Sequence, residues 1–249
     1  MRQDGKYVYC IMGENDGRNF GPRGIGGRED VVTTIGYKDI SAVISNTPMT
    51  RYVISRENLT HHEKVIEAVM KEYTILPVRF CTIAESTEEI RTLLRNRYAE
   101  FKGLLRDMDN KIEMGIKAYW KGMPGVFQEI DRDDASVKEL KHKLGGRGGD
   151  DAGIKEALGK AVEKALAVKK ADESWPLVNR LRRISVDVKA KEPQAGAMVC
   201  NVACLIDRTR EREFDYVVEE LAEANEGRYA FAYVGPAPPF HFVNIEIKA

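Results

Sequence analysis

The sequence predicts an α+β protein of two small domains, each an antiparallel or mixed sheet covered by helices, ferredoxin-like in flavour. Three observations lead to that class. Runs rich in Val, Ile and Tyr at 6–12, 31–36 and 39–45 have the length and composition of strands. Residues 57–73 and 88–107 instead repeat their apolar positions at helical spacing. The order strand, strand, helix, strand then returns over 184–235, after a helical stretch interrupted by Gly145-Gly146-Arg147-Gly148-Gly149. The expected division is an N-terminal α+β domain over 1–121 and a helical linker segment over 122–183 with its Gly-rich joint at 145–149. A C-terminal α+β domain with a proline-rich tail follows over 184–249.

Taken in order, residues 6–12 form a first strand, and 31–36 with 39–45 a hairpin turning at Tyr37-Lys38. The helix over 57–73 carries Val65, Ile66, Val69 and Tyr73 on one face, and Ser55 or Asn58 caps its start. Residues 75–82 are almost continuously apolar, the pattern of a strand buried on both faces. Pro77 lacks the N–H such a strand needs, so it belongs at the strand's beginning or at a bulge. Ser86 or Thr87 caps a helix over 88–107 whose apolar face includes Ile90, Leu94, Phe101 and Leu105. Residues 111–120 alternate Ile112, Met114, Ile116 and Ala118 against Lys111, Glu113 and Lys117, a half-buried strand. This segregation predicts a sheet on one side and helices on the other. A polar helix to about 144 follows, then a helix over 154–170 and a shorter one over 175–183 with Pro176 in its first turn. Strands at 184–190 and 197–207, a helix at 210–225, a strand at 228–235 and a last extended piece complete the chain.

A chain of 249 residues hides roughly 70% of its extended surface on folding, so its core needs no metal or disulfide staple. Lys+Arg and Asp+Glu both total 39, a formal net charge of zero. A nucleic-acid binder needs a basic excess for its phosphate contacts, so no nucleic-acid partner is expected. Zero net charge also leaves little repulsion between copies, which permits self-association. Charge is unevenly placed: twelve basic residues face seven acidic ones over 137–184, and eight acidic face three basic over 207–226. These are solvated helix faces, or complementary patches between domains or copies. No apolar run nears the roughly 18 residues a membrane helix requires, and the start of the chain has no signal-peptide pattern. Four cysteines in this length do not make a secreted disulfide framework. A cytoplasmic protein without a membrane partner is expected.

Candidate chemistry is sparse. Cys200 and Cys204 lie in a strand-like run, where four residues span roughly 13 Å. That is too far for one zinc with sulfur bonds of about 2.3 Å, so these residues, like Cys10 and Cys81, read as core. His61-His62-Glu63 is the best general-base candidate. Adjacent helix residues point roughly 100° apart, however, so helix surface or polar packing is expected there. Gly21-Pro22-Arg23-Gly24-Ile25-Gly26-Gly27 suggests a phosphate loop but precedes a strand rather than a helix, which predicts a mobile hairpin loop. Asp131, Asp133 and Asp134 lack the loop pattern of a calcium site. No serine elbow, triad spacing or carboxylate pair emerges, so no catalytic residue, metal or cofactor is expected. The alternative is a small-molecule enzyme on a ferredoxin-like scaffold with a cleft around His62, Glu63 and Cys81. An RNA-binding sheet is a third reading, since Tyr7 and Tyr9 share a strand face, but the charge is neutral and no RNP-like string is present.

Two segments far apart in the chain remain: Ile75-Leu76-Pro77-Val78-Arg79-Phe80 and Gly235-Pro236-Ala237-Pro238-Pro239-Phe240-His241-Phe242-Val243. Proline fixes φ near −65° and removes a donor, so the aromatics beside it are held at low entropic cost. Such residues suit packing or docking better than chemistry. The PxxP spacing of Pro236 to Pro239 either packs on its own domain or faces an outside partner. Arg79, Phe80, Pro238, Pro239, Phe240 and Phe242 are the expected partner-binding residues. GPAPPFHFV resembles the GPxPPYxFV ending, and ILPVRF the LPxRFGT block, of the gas vesicle accessory proteins GvpF and GvpL. Tyr7-Val8-Tyr9-Cys10-Ile11 is similar to the family's opening strand, 24–27 and 35–45 to its hairpin, and 59–65 to the helix before the LPVRF block. Cys81 stands where glycine is usual and Ala237 where an aromatic is common. The resemblance implies a non-enzymatic assembly or minor structural protein of the gas vesicle. It also implies binding to the major, very hydrophobic shell protein and to other accessory gas vesicle proteins.

Overall fold

The computed structural model describes residues 4–146, 151–193 and 196–245. The chain divides into two units. Residues up to 113 form the first, together with 207–209 and the chain from 236 onward; residues 114–206 and 210–235 form the second. The sequence division at 121 and 183, which put the tail in a C-terminal domain, is therefore not how the chain clusters. The reason is burial: Val243 and Ile245 lie in the first unit's core with Leu76, Val78 and Leu94.

The first unit contains β1 (Asp4–Met12), β2 (Asn19–Pro22), β3 (Val31–Tyr37), β4 (Ile40–Pro48), α1 (Arg56–Met70), β5 (Ile75–Pro77), β6 (Ile83–Ala84), α2 (Thr87–Asn96) and α3 (Tyr98–Asp107). Its strands run β2-β3-β4-β1-β5, with β6 also on β1, and neighbours are antiparallel. The β3–β4 hairpin turns at Lys38, φ 53°, as the sequence predicts. Ser55 and Ser86 cap α1 and α2, each accepting a backbone N–H at 3.2 Å. Every residue from Tyr7 to Met12 is fully buried, so β1 is apolar on both sides. Tyr7, Tyr9 and Met12 pack with Val65, Ile66 and Val69 of α1. Val8 and Ile11 pack with Ile90, Leu94 and Phe101 of α2 and α3. Helices therefore cover both faces of this sheet rather than the one side expected. The single helix expected over 88–107 breaks at Arg97, φ −107° and ψ 18°, which lets α2 lie on β3 and β4 while α3 lies on β5.

From the first unit β7 (Lys111–Trp120) leads into the second. There follow α4 (Met123–Asp133), α5 (Ala135–Gly146), α6 (Ala152–Arg182), β8 (Asp187–Ala190), β9 (Met198–Asp207), α7 (Glu211–Ala224) and β10 (Tyr229–Ala237). The sheet order is β10-β7-β9-β8. The core gathers Trp120, Val126, Ile130, Leu177, Val199 and Tyr229. The two helices expected at 154–170 and 175–183 are one helix of 31 residues with Pro176 inside it. An interior proline costs about 3 kcal/mol. Buried Leu177 and Leu181 on its far side, and Glu173 fixed one turn before, hold the helix continuous across it. Gly145 and Gly146 close α5; the rest of the Gly-rich joint, 147–149, lies outside the described residues.

Candidate functional site

The site begins with an irregular step at the edge of the first sheet. The Val78 N–H donates to Tyr9 O (3.0 Å), and the Val8 N–H donates to Thr82 O (2.9 Å). Arg79, Phe80 and Cys81 lie between these two bonds and leave the ladder, so the strand expected over 75–82 ends at Pro77. Proline has no N–H to continue it. Cys81 then takes φ 65°, a left-handed conformation that glycine adopts without penalty, which explains why glycine suits this position. The bulge is tied down locally. Thr82 Oγ1 donates to Arg79 O (2.7 Å), the Cys81 N–H donates to the Tyr7 hydroxyl (2.9 Å), and the Tyr52 N–H donates to Cys81 Sγ (3.2 Å).

Beneath the bulge lies His62, 3% exposed. Its Nε2 is 3.2 Å from Val78 O, which can only accept, so Nε2 carries the proton. Nδ1 is then the acceptor for the Tyr7 hydroxyl at 3.1 Å. Burial lowers the His62 pKa from 6.5 to about 4, against the upward pull of the Val78 bond, so the ring is neutral. Tyr9, stacked on His62 at 5.8 Å, bonds Ser45 at 2.9 Å and receives the Ile25 N–H at 2.8 Å. Of the two expectations for His62, helix surface or polar packing, the structure has the second: Tyr7 and Val78 supply the two bonds that let a histidine be buried here. The loop 21–27 is likewise anchored rather than a simple mobile turn, because Ile25 is fully buried and its N–H is spent on Tyr9.

The tail completes the site. After buried Pro238 and Pro239 the chain turns, with the Phe240 N–H on Pro238 O (2.7 Å) and the Val243 N–H on Pro239 O (3.0 Å). Ile245 then bridges Val78 in parallel, and Phe240 packs into the cluster that holds Tyr7, Tyr9 and Phe80. Glu113 anchors the turn: it accepts the His241 backbone N–H at 2.9 Å, and its other oxygen lies 2.5 Å from His241 Nδ1. This is why Glu113, expected on the solvent face of its strand, is only 5% exposed.

The two segments singled out in the sequence therefore meet. They line a groove of about 470 Å³ with Leu59, Glu63, Arg79, Phe80, Phe240 and Asn244 among its walls. Of the expected partner-binding residues, exposed Arg79 and half-buried Phe80 and Phe240 line it, whereas half-buried Phe242 and buried Pro238 and Pro239 are not among its walls. Beside it, the loop tied to Cys81 through Tyr52 presents Val53 and Ile54, each 77% exposed. Sequence reasoning missed this pair; adjacent β-branched residues outside any periodic segment were the available signal.

The alternative cleft does not assemble a nucleophile and base. Both ring nitrogens of His62 are occupied, Cys81 Sγ faces the Tyr52 N–H, and the Glu63 pKa is raised by desolvation and by Glu67. Burial pushes the Cys200 thiol up to about 11 and raises Cys10 further, as core thiols. Asp131 and Asp133 pair with Lys141 and Arg132, and Asp134 caps α5. A polar cluster of the second unit was not anticipated. Arg228 grips Glu129 (2.7 and 2.8 Å) and Glu173 (2.5 and 3.2 Å), and the Trp120 indole (2.6 Å) and Tyr229 hydroxyl (2.7 Å) also donate to Glu173. Burial opposes Glu173's ionisation, yet Arg228, Trp120, Tyr229 and Lys169 together bring its pKa to about 2. The cluster joins α4, α6, β7 and β10, and its groups are directed at one another.

The geometry defines a class: a two-unit α+β protein whose proline-turned tail returns to the first unit and builds an aromatic groove against a bulged edge strand. Residues 5–244 match the family model of the gas vesicle synthesis protein GvpL/GvpF. The chain belongs to this family, as its terminal motifs suggested, and has a gas vesicle accessory role. It is 26% identical over 220 residues to gas vesicle protein F of a Streptomyces species, covering 88% of this chain and 91% of that one. Gas vesicle protein F1 of Halobacterium salinarum is 24% identical, with 98% and 94% covered. The fold is that of the crystal structure of GvpF from an Anabaena species (TM-score 0.82, 22% identity, 98% and 100% covered). GvpF from Microcystis aeruginosa shares it too (TM-score 0.78, 24% identity, 96% and 98% covered). These relatives are named as gas vesicle proteins, not as enzymes. Among the described residues no helix is long and apolar enough to cross a membrane.

Proposed function

We propose that this protein holds the hydrophobic shell-forming gas vesicle protein, and with it other accessory gas vesicle proteins, while the vesicle is assembled in the cytoplasm, and that it catalyses no reaction. The observation that carries this reading is the meeting of Phe80 and Phe240 in one groove beside exposed Val53 and Ile54. A shell protein with a large apolar face aggregates if that face waits in water. An accessory surface of shaped aromatics and exposed aliphatics covers it until it joins the shell. Arg79 and Glu63 at the rim orient the client.

Coexpression of the shell protein with this chain tests the proposal, comparing wild type with a Val53→Asp/Ile54→Asp double variant. Both side chains are solvent-facing, so the variant keeps its fold. Burying one such aliphatic side chain stabilises a complex by about 1.5–3 kcal/mol. Carboxylates at both positions therefore lower soluble or vesicle-incorporated shell protein roughly tenfold or more. Equal yields with the variant, or no gain with wild type over the shell protein alone, refute the reading.

A further inference from the structure

A strand with an unpaired outer side is a template for another chain, and proteins blunt such edges with brevity, proline, bulges or charge. Three of the sheet edges here are blunted. The edge strand β2 has four residues, a bulge at Gly21 (φ 84°) and Pro22 at its end. At the opposite edge, β5 has three residues and stops at Pro77. In the second sheet β8 has four, with Asp187 and Lys189.

The fourth edge is different. β10 has nine residues, Tyr-Ala-Phe-Ala-Tyr-Val-Gly-Pro-Ala: Gly235 (φ 147°) and Pro236 blunt only its end, while residues 229–234 carry no charge and no proline, and among the described residues nothing pairs with its outer side. Val234 is 62% exposed because its neighbour on β7 is Gly115, which offers no side chain to cover it. The alternate residues face α7: the Tyr233 ring lies 6.2 Å from Phe214, and its hydroxyl donates to Asp215.

Charge selects the occupant. Glu213 and Glu220 of α7 are matched by Arg210 and Arg180, but Glu211 and Asp215, one turn apart above Tyr233, have no cationic partner among the described residues. The rim of the open edge is therefore acidic. A second copy pairing antiparallel through the same edge would set α7 beside α7 and oppose these like charges, which disfavours it. We propose that β10 takes up an extended segment of a partner polypeptide by strand addition, and that this segment carries Lys or Arg on the side facing α7. Main-chain bonds supply the affinity in this mode and alternate side chains the choice of partner. None of the β10 residues lines the Phe80–Phe240 groove.

The probes are three labelled nonapeptides: alternating Lys and Val, alternating Glu and Val, and the Lys–Val peptide N-methylated at alternate residues so that it keeps its charge but cannot pair. Binding is read by fluorescence anisotropy, and its place by hydrogen exchange over 229–237. The Lys–Val peptide should slow exchange there and bind about tenfold tighter than the Glu–Val peptide. Val234→Lys, and separately Glu211→Gln/Asp215→Asn, should each weaken it about tenfold at unchanged circular dichroism, while Val53→Asp/Ile54→Asp binds it normally. Absence of protection in β10, equal binding of the N-methylated or acidic peptide, or a sedimenting dimer whose β10 is protected without peptide overturns the proposal.

Discussion

Lowering the pH tests the buried His62 directly. In the unfolded chain an imidazole binds its proton below about 6.5, whereas in the fold His62 does so only below about 4. Between those values the unfolded state holds the extra proton, so stability falls as pH falls; it is fully present above pH 6.5 and lost progressively towards pH 4. Between pH 7 and 4.5 the loss from this one residue is about 2 kcal/mol, or roughly 1 M in urea midpoint at an m-value of about 2 kcal/mol/M. His62→Gln supplies the control, since an amide donates to Val78 O and accepts from Tyr7 without titrating. Both tryptophans lie in the second unit, so the assay is hydrogen exchange of β1 amides across a urea series. Contributions from other histidines and carboxylates cancel in the difference between the two proteins. Parallel pH dependences for wild type and His62→Gln would show that the ring is not held neutral in this core.

Two further perturbations address the tail and the second unit. Glu113→Ala should release the turn at His241 by removing a charged acceptor, at a cost of about 1.5–3 kcal/mol. Exchange over 238–245 should then quicken while the second unit's unfolding midpoint stays put, and an unchanged exchange rate would exclude Glu113 as the anchor. Arg228→Lys replaces a fork on two carboxylates by a single ammonium and should destabilise the second unit by about 1–3 kcal/mol. Trp120 fluorescence in a Trp175→Phe background reads this, and a shift below about 0.5 kcal/mol would mean that lysine serves the cluster equally well.

Local signals in the sequence found most elements because serine caps, helical periodicity and the Tyr37-Lys38 turn act within a few residues. Ser55 and Ser86 cap where expected, and the conflict at Pro77 marks a real departure of the chain from the sheet. What local signals could not carry was partnership at a distance. Glu113 looks solvent-facing by alternation until His241 arrives from the tail, and surface and polar packing stay open for His62 until Tyr7 and Val78 enclose it. Pro176 looks like a helix start because its cost is local, while Leu177, Leu181 and Glu173 offset it by packing and bonding with other elements. The aromatic groove was half legible: each segment was singled out, but the bulge that turns Phe80 towards Phe240 depends on a backbone bond to Tyr7.

Because residues 236–245 complete the first unit while 114–206 and 210–235 belong to the second, the chain cannot finish what it starts first. A ribosome adding about 5–20 residues per second makes the intervening stretch in roughly ten seconds. Throughout that interval Val78 has no Ile245 and Phe80 has no Phe240, so a nascent or truncated chain lacks the groove. Only a chain translated past Ile245 can close it.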